Sequence, residues 1–526
     1  MMKKIKYILL TVLSVGFLAC ENETLDDLRD RVNQNDPELP ALTSGSANFS
    51  NYVAVGPSFT AGFADGGLFI ASQENSFPNI IASQFANAGG GTFTQPLMND
   101  NFGGLALAGN RIADPRLVFG GAGPVPLESV IGPVTVSTDI ALNNPTGPFN
   151  NLGVPGAKSF HIIAPGYGNI ANVQAGLANP YAVRITGNTP DATILELAVA
   201  QSPTFFSLGV IGGNDVLGYA TTGGDGSNPI TDQGTFDFAM TTIINGLVAT
   251  GAQGVLGNTP NVGNLPFFTT VPHNPLPIDA ATAGFLNSAS AYGAYNAGLD
   301  GVLAFLSAPA NVGTLQFLFP AATAAESLAL ATAEMDRRKI FFMEADDNAV
   351  VIMDEDLTDL TSFNPALINM RQATADDLVV LPAASFIGTE AVPGNPATVN
   401  GVAIPLADNW ILTPEEQEEI ATATAGHNAT LAALASANGL ALVDLNAILE
   451  EASSVGIQFD DFNLNTDLVF GGLVSLDGIH LTARGYALMA NRYLEAIDAT
   501  YGSNFVESGN VAKANDFTTN YSPLLQ

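Results

Sequence analysis

The sequence predicts an α/β protein with a largely parallel sheet. Short apolar, β-prone runs alternate with longer helical stretches, and glycines cluster where the runs end. The first run, residues 51–56, is Asn-Tyr-Val-Ala-Val-Gly, and it opens the folded part. Further strand candidates follow at 204–210, 254–256, 378–381 and 441–443. Helical patterns cover 236–250, 415–438 and 483–501. The second of these begins with an N-cap candidate (Thr413), a first-turn proline (Pro414) and two acids, Glu415 and Glu416. Residues 291–299 echo 423–431, and both read as helix. Between them, about 311–407 reads as an insertion into the α/β core, a lid or subdomain. Its acidic clusters, Asp346-Asp347 and Asp354-Glu355-Asp356, read as solvated faces rather than a metal site.

With 526 residues, 47% of them hydrophobic, the chain can bury a large core, and one α/β domain with long insertions reaches this size. Sixteen basic against 50 acidic residues give a net charge of −34, a field that repels phosphate backbones and excludes nucleic-acid binding. Lys3, Lys4 and Lys6 precede an apolar stretch over 7–19 that ends Phe17-Leu18-Ala19-Cys20. That is the pattern of a secretory signal, too short for a comfortable membrane span. Cys20 is the only cysteine, at the position where a bacterial lipoprotein signal is cut and acylated, so no intramolecular disulfide or Cys-based zinc site is possible. The expected organisation is a signal peptide over 1–19, a polar acidic tether over 20–46, a folded body over 47–505 and a tail over 506–526. The expected location is the outer-membrane, periplasmic or cell-surface face of a membrane, held by a lipid on Cys20.

Four blocks carry chemistry. Gly56-Pro57-Ser58-Phe59-Thr60-Ala61-Gly62-Phe63-Ala64-Asp65-Gly66 sets a serine after a hydrophobic strand, at the edge where open α/β sheets bind ligands. Asn151-Leu152-Gly153-Val154-Pro155-Gly156 has two glycines that permit an exposed backbone N–H, although a plain tight turn reads the same way. In Phe205-Phe206-Ser207-Leu208-Gly209-Val210-Ile211-Gly212-Gly213-Asn214-Asp215 a buried strand runs into glycines and an amide able to stabilise an oxyanion. Last, Ser475-Leu476-Asp477-Gly478-Ile479-His480 spaces a carboxylate three residues before one of only four histidines, so that one turn can hold Nδ1 and leave Nε2 free as a base. His161, His273 and His427 lack such a partner and read as structural.

In content and order these blocks resemble the SGNH (GDSL-type) hydrolase family over roughly residues 52–501. The resemblance implies a flavodoxin-like three-layer α/β/α fold with a long insertion, and a serine esterase or lipase that needs no metal or cofactor. It implies Ser58 as nucleophile, His480 as base, Asp477 as its orienting acid, and an oxyanion hole from the Ser58 and Gly156 N–H groups and the Asn214 side chain. Gly156 is preferred to Gly153 because the family's donor lies five residues after the asparagine matching Asn151. Where the family usually has Asp before the nucleophile, this chain has Pro57. The α/β-hydrolase elbow fits less well, because Thr60 stands where Gly-x-Ser-x-Gly requires glycine. Substrates consistent with this reading are small-molecule, lipid or glycan esters, including O-acetylated carbohydrate. A surface binding module that kept the fold without activity is the alternative from another class. Phe59, Phe63, Leu68, Phe69, Phe267 and Phe268 are candidates for an acyl pocket or for core.

Overall fold

The computed structural model describes residues 39–525. The expected signal, the acylated Cys20 and most of the tether lie outside the described residues. Five parallel strands form the central sheet: β1 (Tyr52–Gly56), β2 (Asn151–Gly153), β3 (Phe205–Leu208), β4 (Gln253–Gly257) and β5 (Ala441–Val443). Their spatial order is β2-β1-β3-β4-β5, a doubly wound order whose direction reverses between β1 and β3. Side chains alternate across the sheet with period two. Tyr52, Ala54, Phe205 and Val255 face one layer; Val53, Val55, Phe206 and Leu256 face the other.

Ten helices matter here: α1 (Ser58–Ala61), α2 (Phe77–Asn87), α3 (Ile194–Ala200), α4 (Gly213–Thr221), α5 (Gln233–Val248), α6 (Tyr292–Leu306), α7 (Ala324–Arg338), α8 (Pro414–Asn438), α9 (Leu445–Ser454) and α10 (Ala483–Tyr501). α2 and α10 cover the first face of the sheet; α3, α5 and the second half of α8 cover the other. The result is three layers, α/β/α. α8 starts where the sequence signals it. The Thr413 hydroxyl accepts from the Glu416 N–H, the Glu416 carboxylate accepts from the Thr413 N–H, and the helix ends at Gly439 in the left-handed region.

Several expectations need correcting. Leu378–Val379 is no strand of the central sheet; it pairs antiparallel with Ile411–Leu412 in a separate body. That body's core draws mainly on residues from Val262 to Ile420, joined by Val216 and Ala220 of α4 and Leu449 of α9, so the elaboration includes α6 and α7 and begins soon after β4, well before residue 311. Its first helices carry the same apolar pattern as sheet-covering ones, which hid the boundary. The Asn151–Gly156 block, whose sequence also suits a tight turn, begins with edge strand β2; three residues are too few to show a period. Residues 506–525 are packed rather than a free tail: Ala512, Ala514 and Tyr521 are buried, and the Tyr521 ring meets Phe69 edge-on at 4.9 Å. At the other end Ser46 already donates its N–H to the Tyr501 carbonyl at 2.8 Å.

The acidic run 354–356 is only partly solvated. Asp354 is fully buried and accepts from Arg371 Nε and Arg337 Nη2, while the two terminal nitrogens of Arg371 grip Asp377, each at 2.7 Å. Removing one partner of such a buried set leaves charge unpaired. Arg371→Met is therefore expected to cost about 3–5 kcal/mol of stability, measured by urea denaturation; a change below about 1 kcal/mol would show the network to be energetically neutral.

Candidate active site

Ser58 stands one residue beyond β1, at the first position of α1, with 4% of its surface exposed. α1 lies close over the strand ends because glycines admit it. A Cβ on Gly56 would sit 2.3 Å from Thr60 Oγ1, and one on Gly153 would sit 2.3 Å from the Ala61 nitrogen. Pro57 occupies the N-cap, where a backbone N–H has no intrahelical acceptor, so its missing donor costs no helix hydrogen bond. Its carbonyl accepts from the Ala61 N–H at 3.2 Å, which closes the single turn.

The last block forms a tight loop before α10. The Ser475 N–H bonds to the His480 carbonyl at 2.7 Å, and Gly478 takes φ +76 with room for no side chain beside Phe267. This loop puts Asp477 Oδ2 2.9 Å from His480 Nδ1, and His480 Nε2 2.8 Å from Ser58 Oγ. Asp477 Oδ2 also accepts from the Gly66 N–H at 2.9 Å. Its Oδ1 accepts from the N–H groups of Ile479 and His480 and from the Ser475 hydroxyl. Burial pushes the Asp477 pKa up, but the neighbouring His480 and the surrounding donors outweigh it and hold the carboxyl well below the usual range. An ionised Asp477 needs a donor at His480 Nδ1, which leaves Nε2 with the lone pair that faces the serine hydroxyl. The rings of Phe59 and Phe63 lie against His480, centroids at 5.3 and 4.7 Å.

Behind the pair sits Asp65, a residue of the serine block to which the sequence assigns no role. Asp65 is 1% exposed with φ +54, and its N–H donates to the Ser475 hydroxyl at 3.0 Å. Its Oδ1 accepts from the Leu476 N–H at 3.0 Å. Burial, offset in part by that N–H and reinforced by the charge of Asp477, pushes its carboxyl up to about 7. The available signal was an acid within the tight turn Ala64-Asp65-Gly66-Gly67.

β2 and β3 flank β1, so the loops carrying Gly156 and Asn214 lie on either side of the serine loop. The Gly153 N–H is committed to Asn151 Oδ1 at 3.0 Å. Gly156 is exposed at φ +79, in a turn only glycine enters freely. Asn214, in the first turn of α4, donates one amide hydrogen to the Ala157 carbonyl at 3.0 Å and retains a second. Asp215 braces the same loop by accepting from the Ser159 N–H and hydroxyl. Between β3 and α4, Val210 is held at φ +44, an outlier for a β-branched residue.

Between α9 and α10 lies a cavity of about 70 Å³, lined by apolar side chains that include Val210, Leu265, Leu445, Ile448, and Phe59 and Ile479, the chain neighbours of Ser58 and His480. Of the acyl-pocket candidates only Phe59 lines it. Phe63 packs on His480, Phe69 on Tyr521, and Phe267 against Phe268, while Leu68 borders a smaller space near Arg184. The other histidines stand apart. His161 stacks on Tyr167, and burial pushes its pKa down to about 4. His427 is fully buried against Phe236, and the His273 carbonyl accepts from Val350. Comparison of the chain with protein-family models, curated proteins and solved structures gives no match.

Because Asp65 binds its proton more tightly in the folded state than in the unfolded one, its contribution falls as pH rises from about 4 to 7. Asp65→Asn keeps the acceptor for Leu476 and removes the ionisation. The variant is expected to gain stability relative to the parent across that window, up to about 4 kcal/mol at about 1.36 kcal/mol per pH unit. Paired thermal melts at pH 4 and 7 read this; a pH-independent difference would contradict it.

Proposed function

We propose that the protein is a serine hydrolase of carboxylic esters, of the SGNH class, acting through Ser58, His480 and Asp477. The observation that carries this reading is the unbroken hydrogen-bonded line from the Ser58 hydroxyl through the His480 imidazole to the Asp477 carboxylate, at 2.8 and 2.9 Å. Ser58 Oγ attacks the acyl carbonyl as His480 Nε2 takes its proton, and Asp477 stabilises the imidazolium without accepting that proton. The tetrahedral oxyanion is held by the N–H groups of Ser58 and Gly156 and by the uncommitted amide hydrogen of Asn214. His480 then protonates the leaving alcohol, and water attacks the acyl-enzyme by the reverse path.

Supporting the acyl half of the substrate is the apolar cavity beside Phe59 and Ile479. Its volume equals that of several waters at about 10–15 Å³ each, which suits a short to medium acyl chain better than acetyl alone. In the cell we infer an exported chain anchored by a lipid on Cys20.

Three measurements follow on p-nitrophenyl esters from acetate to decanoate. Ser58→Ala should abolish turnover, and activity equal to the parent's would remove Ser58 as nucleophile. Asn214→Ala should lower kcat about 10²–10³-fold with KM changed far less; a change confined to KM would make Asn214 a binding group only. Ile448→Trp, which fills the cavity, should move the optimum toward acetate, and an unmoved profile would place the acyl chain elsewhere.

A further inference from the structure

We propose that Glu355, Asp408 and Glu416 hold a calcium ion that pins two turns of the inserted body to the start of α8. The three residues come from separate elements. Glu355 lies in the turn after Val351–Met353, Asp408 opens the single turn Asp408–Trp410, and Glu416 is in the first turn of α8. One carboxylate oxygen of each lies within 4.8 Å of the others. Oxygens on opposite sides of a calcium ion, each bonded at about 2.4 Å, are about 4.8 Å apart, so this spacing suits ligands sharing one cation.

A second observation is independent of the clustering. Glu416 is only 3% exposed, and while its Oε2 accepts from Thr413, its Oε1 is buried with no hydrogen-bond partner. Asp408 Oδ1 is likewise buried without a donor, and the Asp408 carboxyl faces that of Glu355. Oε1 presses against the turn that ends α4: a Cβ on Gly224, at φ +77, would fall 1.8 Å from it. Buried carboxylate oxygens without donors are costly, and a cation is the usual remedy. The nearby arginines are engaged elsewhere, Arg337 with Asp354 and Glu415 and Arg371 with Asp354 and Asp377. Among the described residues no Lys, Arg or His forms an ion pair with any of the three. Burial and the facing carboxylates push Asp408 up to about 7 and Glu416 up to about 8, as uncompensated negative charge requires. An all-oxygen set suits calcium better than magnesium, which demands near-ideal octahedral geometry, or a softer metal.

The sole tryptophan, Trp410, is two residues from Asp408 and serves as an antenna for bound terbium. Excitation of the purified protein at the indole band should give terbium emission that saturates at one ion per chain and is displaced by calcium. Calcium should also raise Tm over a chelator control, with half-effect at about 10⁻³ M or below. Glu416→Gln preserves the capping box, which accepts Glu or Gln, and Glu355→Gln alters an exposed side chain. Each should weaken terbium binding tenfold or more and shrink the Tm shift. Emission that never saturates, equal displacement by magnesium, or binding unchanged in both Gln variants would overturn the proposal. The last result would reveal diffuse attraction to a chain of net charge −34.

Discussion

In a sheet whose strands all run one way, every strand-to-helix turn falls on the same edge, and the site described here depends on that constraint. Ser58 and His480 are 422 positions apart, yet they meet because β1 is central and α10 returns its N-terminus to the same edge. The glycines at strand ends serve this geometry. Gly56 and Gly153 let α1 lie against the strands, and Gly478 lets the histidine loop reach Phe267. The inserted body departs from that edge too, between β4 and α8, so its size does not disturb the sheet beneath it.

Two buried acids near the imidazole show how environment divides roles between like groups. Asp477 receives five donors and stays ionised, whereas Asp65 receives one at its carboxyl and is pushed toward neutrality by burial. Ser475 joins them, accepting from the backbone of one and donating to the carboxylate of the other. A different scarcity shapes the insertion. With 16 basic residues for 50 acids, its buried arginines are each fully committed, as Arg338 is to Tyr295, Thr358 and Ile368. Clusters beyond their reach must find another counter-charge or stay protonated.

Much of this was legible in the sequence where a local rule decides the outcome. β5 and α10 begin and end at the residues their patterns predict, and α8 starts within one residue of its prediction because Thr413, Pro414 and Glu416 act locally. The serine and histidine blocks were legible, and their side chains meet in the fold, because chemistry restricts them to few residue types. Asp65 was not, since its importance lies in contacts with residues some 410 positions away. Nor was the brace from Asn214 to Ala157, made between two loops with no common pattern. The 378–381 run misled because a short apolar run suits an antiparallel pair in the insertion as well as a buried parallel strand.

The first described residues settle an orientation. Thr43 bonds to Asn504, Ser46 to Tyr501 and Asn48 to Gln253. Gln253 begins β4 and Tyr501 ends α10, so this segment enters along the rim where the strands begin, opposite the rim that carries Ser58. Residues 43–48 therefore leave the rim that carries Ser58 uncovered and lie at the opposite ends of the strands.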